Sequence, residues 1–386
     1  MQDQKQKLEG IITSLKDFTA PAKTESMLAY SGKGVQFPVD RTDIPVPELI
    51  RFILGGILKL TTYGPAEKLR WEIPFRYKGI HCSFALQKFG LRLYISCDNR
   101  TSIDCSKISR EIIGKLKRRI HSIEKTILIP FAEHQIDNGC VTIVNQYYNF
   151  ENRYVYFREK AEKASKRKNR IKGKDFMKEM NKSLQHFYST RIDLFYNALA
   201  MLDAYFSMLE HLFVLVIPFQ CNNEDLVNYI SSYWTDKFTT LFDIKKDSKA
   251  KTFYDRLDVI KERYRNFYAH GGFEKAGASL YIHFPSIGAI PAQLTRIKNS
   301  PHFHFFPIEE DKFKDICTTI DEFNQWLRSE SAGLKNIIRY IESGLNIPCD
   351  KKSIKQIKTA MKSEKALNAL IEHYSYLDDL HTNMDY

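Results

Sequence analysis

One stretch, Leu194 to Phe219, constrains the fold more than any other: it is almost wholly apolar, broken by Asp203, Glu210 and His211 before Pro218 closes it. Its longest uninterrupted run falls far short of the roughly 20 apolar residues that a membrane-spanning helix needs. The stretch is therefore expected to be a buried helix of a cytoplasmic protein, with no membrane partner. Asp203, Ser207 and Glu210 fall at i, i+4 and i+7, which puts all three on one stripe of that helix. Polar groups on one stripe of an apolar helix must face solvent or a functional groove.

Such a helix needs a core around it, and the composition supplies one. The 386 residues are 43% hydrophobic and 13% aromatic, with only 17 Gly and 13 Pro, which excludes a disordered or collagen-like chain. At roughly 150 residues per domain the length suggests two or three domains. The N-terminus is charged throughout and lacks the apolar core of a signal peptide. Seven cysteines at wide spacings, with no C-x-x-C pair, predict buried reduced thiols rather than a disulfide framework or a cysteine-rich zinc site.

The periodicity divides the chain. Leu49 to Thr62 reads as a helix. Trp71, Ile73, Phe75 and Tyr77 then alternate with Glu72, Pro74 and Arg76, the period-two signature of a half-buried strand. Lys78-Gly79 marks a turn, IHCSFALQKFGLRLYISC gives two more strands broken at Gly90, and a helix is expected from about Ser106 to Ile127. This is an α+β module with a small antiparallel sheet, expected over 1–145, its role a sensor, a substrate-selecting domain or a docking surface. Residues 146–386 read as a mainly α bundle, with helices expected at Tyr147–Phe219, Glu224–Leu241, Ala250–His270, Ile308–Arg328, Leu334–Ser343 and Ser353–Leu377. SLYIHFP and HFHFF suggest a short hairpin between helices.

Net charge is +12, from 58 Lys and Arg against 46 Asp and Glu, which favours a polyanionic partner without choosing one. More than half of the excess is local. Arg158, Lys160, Lys163, Lys166, Arg167, Lys168, Arg170, Lys172 and Lys174 stand against Glu159 and Glu162, a net +7 in 17 residues. A solvated helix extension would carry such a run. So would an arm that grips the phosphates of RNA or DNA without sequence preference.

The chemistry-bearing motif is KERYRNFYAHGGF, in which Arg265 and Asn266 precede His270 and Gly271-Gly272 signals a helix stop. Histidine titrates where general acid–base catalysis needs it, and arginine offers a permanent forked cation to a phosphate. Five residues apart on an ideal helix, the two side chains point about 140° from each other, awkwardly for a single phosphate. As a purely structural pair, Arg265 has Glu262 and Asp258 as partners on its own helix, and His270 is a capping residue.

The Arg-Asn-x-x-x-His pattern resembles the R-x4-6-H signature of the HEPN superfamily, and YFSMLEHLFVLV resembles that family's earlier apolar helix with its acidic residue, here Glu210. The resemblance spans about residues 185–345. It implies a HEPN-like helical bundle and a metal-independent endoribonuclease needing no cofactor. Arg265 would stabilise the scissile phosphate, His270 would be general acid/base, Asn266 would orient and Glu210 would support, with Asp203 and Ser207 beside it. It further implies a homodimer with a composite site, RNA as substrate, a toxin or phage-defence role, and an antitoxin or trigger protein as partner. A non-catalytic bundle binding nucleotides, RNA or a partner protein is the alternative.

Other signals are weaker. Gly32-Lys33-Gly34 lacks the spacing of a phosphate loop and reads as a turn. His302 and His304 lack a third ligand for a metal, and Glu310-Asp311-Lys312 opens a helix rather than lying on a nuclease strand. His211 points away from Glu210. The aromatic run Tyr147, Tyr148, Phe150, Tyr154, Tyr156 and Phe157 reads as core with one or two exposed rings.

Overall fold

The computed structural model describes residues 2–23, 25, 27–32, 34–96, 104–167, 176–220, 226–266, 279–294, 301–302, 308–329 and 333–384. They form two compact units, one from residues 1–137 with 372–386, the other from 138–371. The last helix, Glu364–Asn383, is shared: Leu367 packs in the core of the second unit and Met384 in that of the first. Its return to the first unit differs from the division expected from the sequence.

The first unit is α+β, with a five-stranded antiparallel sheet. The strands are β1 (Phe18–Thr19), β2 (Val35–Pro38), β3 (Leu69–Tyr77), β4 (Ile80–Gln87) and β5 (Gly90–Ile95), in the order β1-β3-β4-β5-β2. The three central strands are those expected from the alternation. The β3–β4 turn uses Lys78 and Gly79, both at positive φ, and Gly90 at φ +111° opens β5. The helix at Glu48–Arg51 continues as a π-helical turn, Phe52–Ile57, and stops there instead of reaching Thr62. Cys105–Ile123 likewise runs into a π-helical turn, Glu124–Leu128.

The expectation of a half-buried β3 fails. Trp71, Ile73, Phe75 and Tyr77 fill the core, but Glu72 on the opposite face is fully buried too. A one-turn helix, Leu28–Ser31, covers that face, and its first N–H groups have no partners within the helix. Glu72 accepts them, from Ala29 at 2.9 Å and Tyr30 at 3.1 Å, and also accepts the Ser83 hydroxyl. The buried carboxylate thus ties two segments together. Glu72→Ala leaves one buried and two partly buried donors without acceptors, and urea unfolding is expected to register a loss of about 3 kcal/mol.

Cys105 is disulfide-bonded, with a partner outside the described residues, so the expectation of reduced thiols fails at that position. Spacing along the chain does not reveal a pair that the folded backbone brings together. Cys82, Cys140, Cys317 and Cys349 are free, and burial raises the Cys82 thiol to about 12 and Cys317 and Cys349 to about 11. Those three are packing residues rather than nucleophiles.

The second unit is built on one helix, Phe176–Gln220, packed against Tyr147–Ser165. Among the described residues it alone is long and apolar enough to cross a membrane, and 67% of its most apolar window is buried within the protein. Leu202, Tyr205, Leu209, Phe213 and Val216 are buried against an aromatic cluster that includes Trp234, Phe238, Phe323 and Trp326. The expected helix at Glu224–Leu241 is two, Leu226–Ser231 and Trp234–Leu241, and Ser353–Leu377 likewise divides into Lys351–Ala360 and Glu364–Asn383. Ser279–Phe284 pairs with Gly288–Leu294, and Pro301–His302 adds a third short strand, the rest of HFHFF lying outside the described residues.

Candidate active site

Asp203, Ser207 and Glu210 are each half-buried on a helix whose neighbouring positions are fully buried, so the stripe read from the sequence exists. The segment facing it is a π-helical turn, Lys261–Asn266, which continues the helix Ser248–Ile260. Arg265 lies in that turn. The ideal-helix angle between Arg265 and His270 therefore does not apply at its first member, because a π turn bonds i to i+5 and resets the direction of each side chain. His270 and Gly271-Gly272 lie outside the described residues.

Asp203, rather than Glu210, meets the arginine. Arg265 Nε lies 3.6 Å from Asp203 Oδ1, while Arg153 Nη2 donates to Asp203 Oδ2 at 2.7 Å. One carboxylate thus fixes two guanidinium groups, one from each neighbouring segment. On Arg265's own helix, Glu262 accepts from Asn266 Nδ2 at 2.6 Å. Asn266 Oδ1 in turn lies 3.4 Å from Arg265 Nη1. The Arg265 side chain is 25% exposed, and among the described residues its buried Nε has no hydrogen-bond acceptor, the Asp203 contact being too long to count as one.

Ser207 donates its hydroxyl to the Asp203 carbonyl, a bond internal to the helix. Glu210 acts on Lys261 instead. Burial lowers the Lys261 pKa and Glu210 opposes that shift most, while the ammonium sits 5.0 Å from the centre of the Trp234 ring. Asp258 is the counterpart: burial first, then Glu262, raises its carboxyl above the ordinary value. Arg153, Asp258 and Lys261 were not singled out as site residues by sequence. Arg153 gave no local signal, because its partner lies 50 residues away and only helix pairing joins them.

The arm behaves differently along its length. Arg158 makes a two-pronged pair with Asp321 at 2.5 and 2.6 Å, and this bond chiefly raises its pKa further. Arg167 pairs with Asp193, Lys163 with Glu159 and Lys166 with Glu162, and the Lys160 ammonium lies 5.4 Å from the centre of the Tyr156 ring. Lys168, Arg170, Lys172 and Lys174 lie outside the described residues. Tyr147 and Tyr154 are buried, whereas Tyr148 and Tyr156 are exposed.

His211 has a structural use. Its Nε2 accepts the Gln146 N–H at 2.9 Å, just ahead of the helix Tyr147–Ser165, and burial lowers its pKa, which suits a neutral acceptor. Glu310-Asp311-Lys312 opens the helix Glu310–Ser329. His302 closes a two-residue strand, its side chain outside the described residues together with His304. Gly32 ends the one-turn helix at φ +66°, and at Gly34 a Cβ would meet the Ile95 carbonyl at 2.9 Å. Among the described residues no group of three or more His, Cys, Asp and Glu is arranged to hold a metal ion.

Asp258 supplies a test of the cluster's electrostatics. Its folded pKa lies above the ordinary 3.8, so just above that value the folded chain holds a proton the unfolded chain has lost. Stability therefore falls as pH rises through that window, and at neutral pH the full penalty of the buried charge remains. Asp258→Asn is expected to raise the melting temperature at neutral pH and to flatten the decline, both measurable by calorimetry.

No protein-family description, curated protein or solved structure matches this chain.

Proposed function

We propose that the chain is a metal-independent endoribonuclease of the HEPN type, cutting RNA through the ribose 2′-hydroxyl. The observation that carries this reading is the state of Arg265. Its side chain is 25% exposed and is held beside Asp203 of the facing helix, with Nε 3.6 Å from Oδ1. A preorganised cation that solvent can still reach is what a developing phosphorane needs. Asp203 and Arg153 are positioning residues for Arg265, and Glu262 fixes Asn266 so that its amide orients the neighbouring groups.

In this mechanism Arg265 holds the non-bridging oxygens of the scissile phosphate. His270 takes the proton of the 2′-hydroxyl, or gives one to the leaving 5′-oxygen, and a second copy of the chain supplies the complementary role in a homodimer. Attack by the 2′-oxygen expels the 5′-oxygen and leaves a 2′,3′-cyclic phosphate and a 5′-hydroxyl. The arm recruits RNA through whichever of its cations are not already paired. Such an enzyme acts in the cytoplasm as a toxin or phage-defence effector, with the first unit sensing a trigger, selecting substrate or docking an inhibitor protein.

A second reading has an observation of its own. Around Arg265 three cations, Arg153, Lys261 and Arg265, stand beside four carboxylates, Asp203, Glu210, Asp258 and Glu262. Arg158 and Arg167 of the arm are likewise matched by Asp321 and Asp193. Charges balanced in this way also suit a non-catalytic bundle that binds a nucleotide, an RNA or a protein.

Purified wild type, Arg265→Ala and His270→Ala incubated with RNA in EDTA separate the two. The catalytic reading expects cleavage by wild type, a loss of about a hundred- to a thousandfold for Arg265→Ala and of about a hundred- to ten-thousandfold for His270→Ala. Intact RNA with wild type leaves the binding module as the answer, and undiminished cleavage by both variants removes Arg265 and His270 from the chemistry.

A further inference from the structure

The first unit contains a cavity of about 750 Å³ lined by both of its π-helical turns, Phe52–Ile57 and Glu124–Leu128. Phe52, Gly56 and Ile57 come from one turn, Thr126 and Ile127 from the other. Such turns are rare and recur at functional sites, since the inserted residue interrupts regular helix bonding. Leu8, Pro130 and Phe131 complete the apolar wall. Phe131 is 61% exposed and its neighbour Ile129 is 51% exposed, so the apolar surface continues to the mouth. The volume falls within the roughly 300–1,000 Å³ of sites that enclose small molecules.

Among the described residues no carboxylate lines this cavity, whereas Lys59 and the His134 imidazole do. Among the described residues no acid pairs with Lys59. Its backbone is left-handed at φ +56°, a conformation that glycine adopts freely and lysine only with strain. Backbone geometry alone would favour glycine, so what this position gains from lysine is the side chain.

We propose that this cavity binds a single-chain amphiphile with an anionic head. The apolar tail lies against the π-turn walls and the head reaches the Lys59 ammonium. The cavity lies wholly within the first unit, so this site stands or falls independently of the reaction assigned to Arg265.

Calorimetric titration of the full chain with dodecanoate, dodecanol and dodecylammonium, each below its micelle concentration, tests it. One saturable site is expected, tightest for dodecanoate. An exposed ion pair changes affinity by about two- to fivefold, so exchanging attraction for repulsion should separate the two charged heads by about tenfold. Lys59→Glu should reverse their order. Lys59→Gly should relieve the strain, abolish discrimination between heads and leave dodecanol binding unchanged. The proposal is overturned if no saturable binding occurs, if the three heads bind alike, or if Lys59→Glu leaves the order intact. It is equally overturned if dodecanoate is ignored while the wild type self-associates and Phe131→Asp returns it to monomer, for then a second copy covers this face.

Discussion

The second unit depends on the burial of one helix, Phe176–Gln220. Its apolar positions from Leu194 to Phe219 face inward on nearly every side, and each large side chain fully removed from water contributes about 1.5–3 kcal/mol. No single neighbour covers so much surface. The paired helix Tyr147–Ser165 takes one flank, and Trp234, Phe238, Phe242, Phe323 and Trp326 close another through ring contacts. The several helices after residue 226 follow from this requirement, since they supply buried anchors such as Trp234, Phe238, Phe323, Ile341 and Ile357 to the same long core.

Within that burial the polar stripe has to find partners, and this is what creates the site. A carboxylate at position 203, half-buried on an apolar helix, is costly unless it meets cations. It meets two, Arg153 from the paired helix and Arg265 from the π turn. Glu210, two turns further on, meets the field of Lys261. The fold thus gathers ionisable groups where the long helix would otherwise leave them stranded. Neutralising Asp203 would release both arginines at once, which makes Arg265's placement a property of the core rather than of its own loop.

What could be read in the sequence was local. The alternation from Trp71 to Tyr77 and the breaks at Lys78-Gly79 and Gly90 set the central strands, because period and turn chemistry act over a few residues. The stripe of Asp203, Ser207 and Glu210 was legible for the same reason. Contacts across the chain were not. Glu72 looked like the solvent face of β3 because the helix that covers it lies more than 40 residues earlier. Arg265 had nearer acids in sequence, Glu262 and Asp258, yet the π turn and the helix pairing carry it to Asp203. The basic run read as a solvated helix extension or a phosphate-gripping arm, and neither reading anticipated that Arg158 is bound to Asp321, 163 residues away.

The account rests on Arg265 and His270 acting on a phosphate next to a 2′-hydroxyl. Determining the termini of RNA cut by the wild-type chain in EDTA, on matched substrates with ribose or 2′-deoxyribose at the cleaved position, bears on that most directly. The account predicts a 2′,3′-cyclic phosphate or 3′-phosphate opposite a 5′-hydroxyl, and no cut at the deoxy position. A 3′-hydroxyl with a 5′-phosphate, or equal cutting of the deoxy substrate, would contradict it.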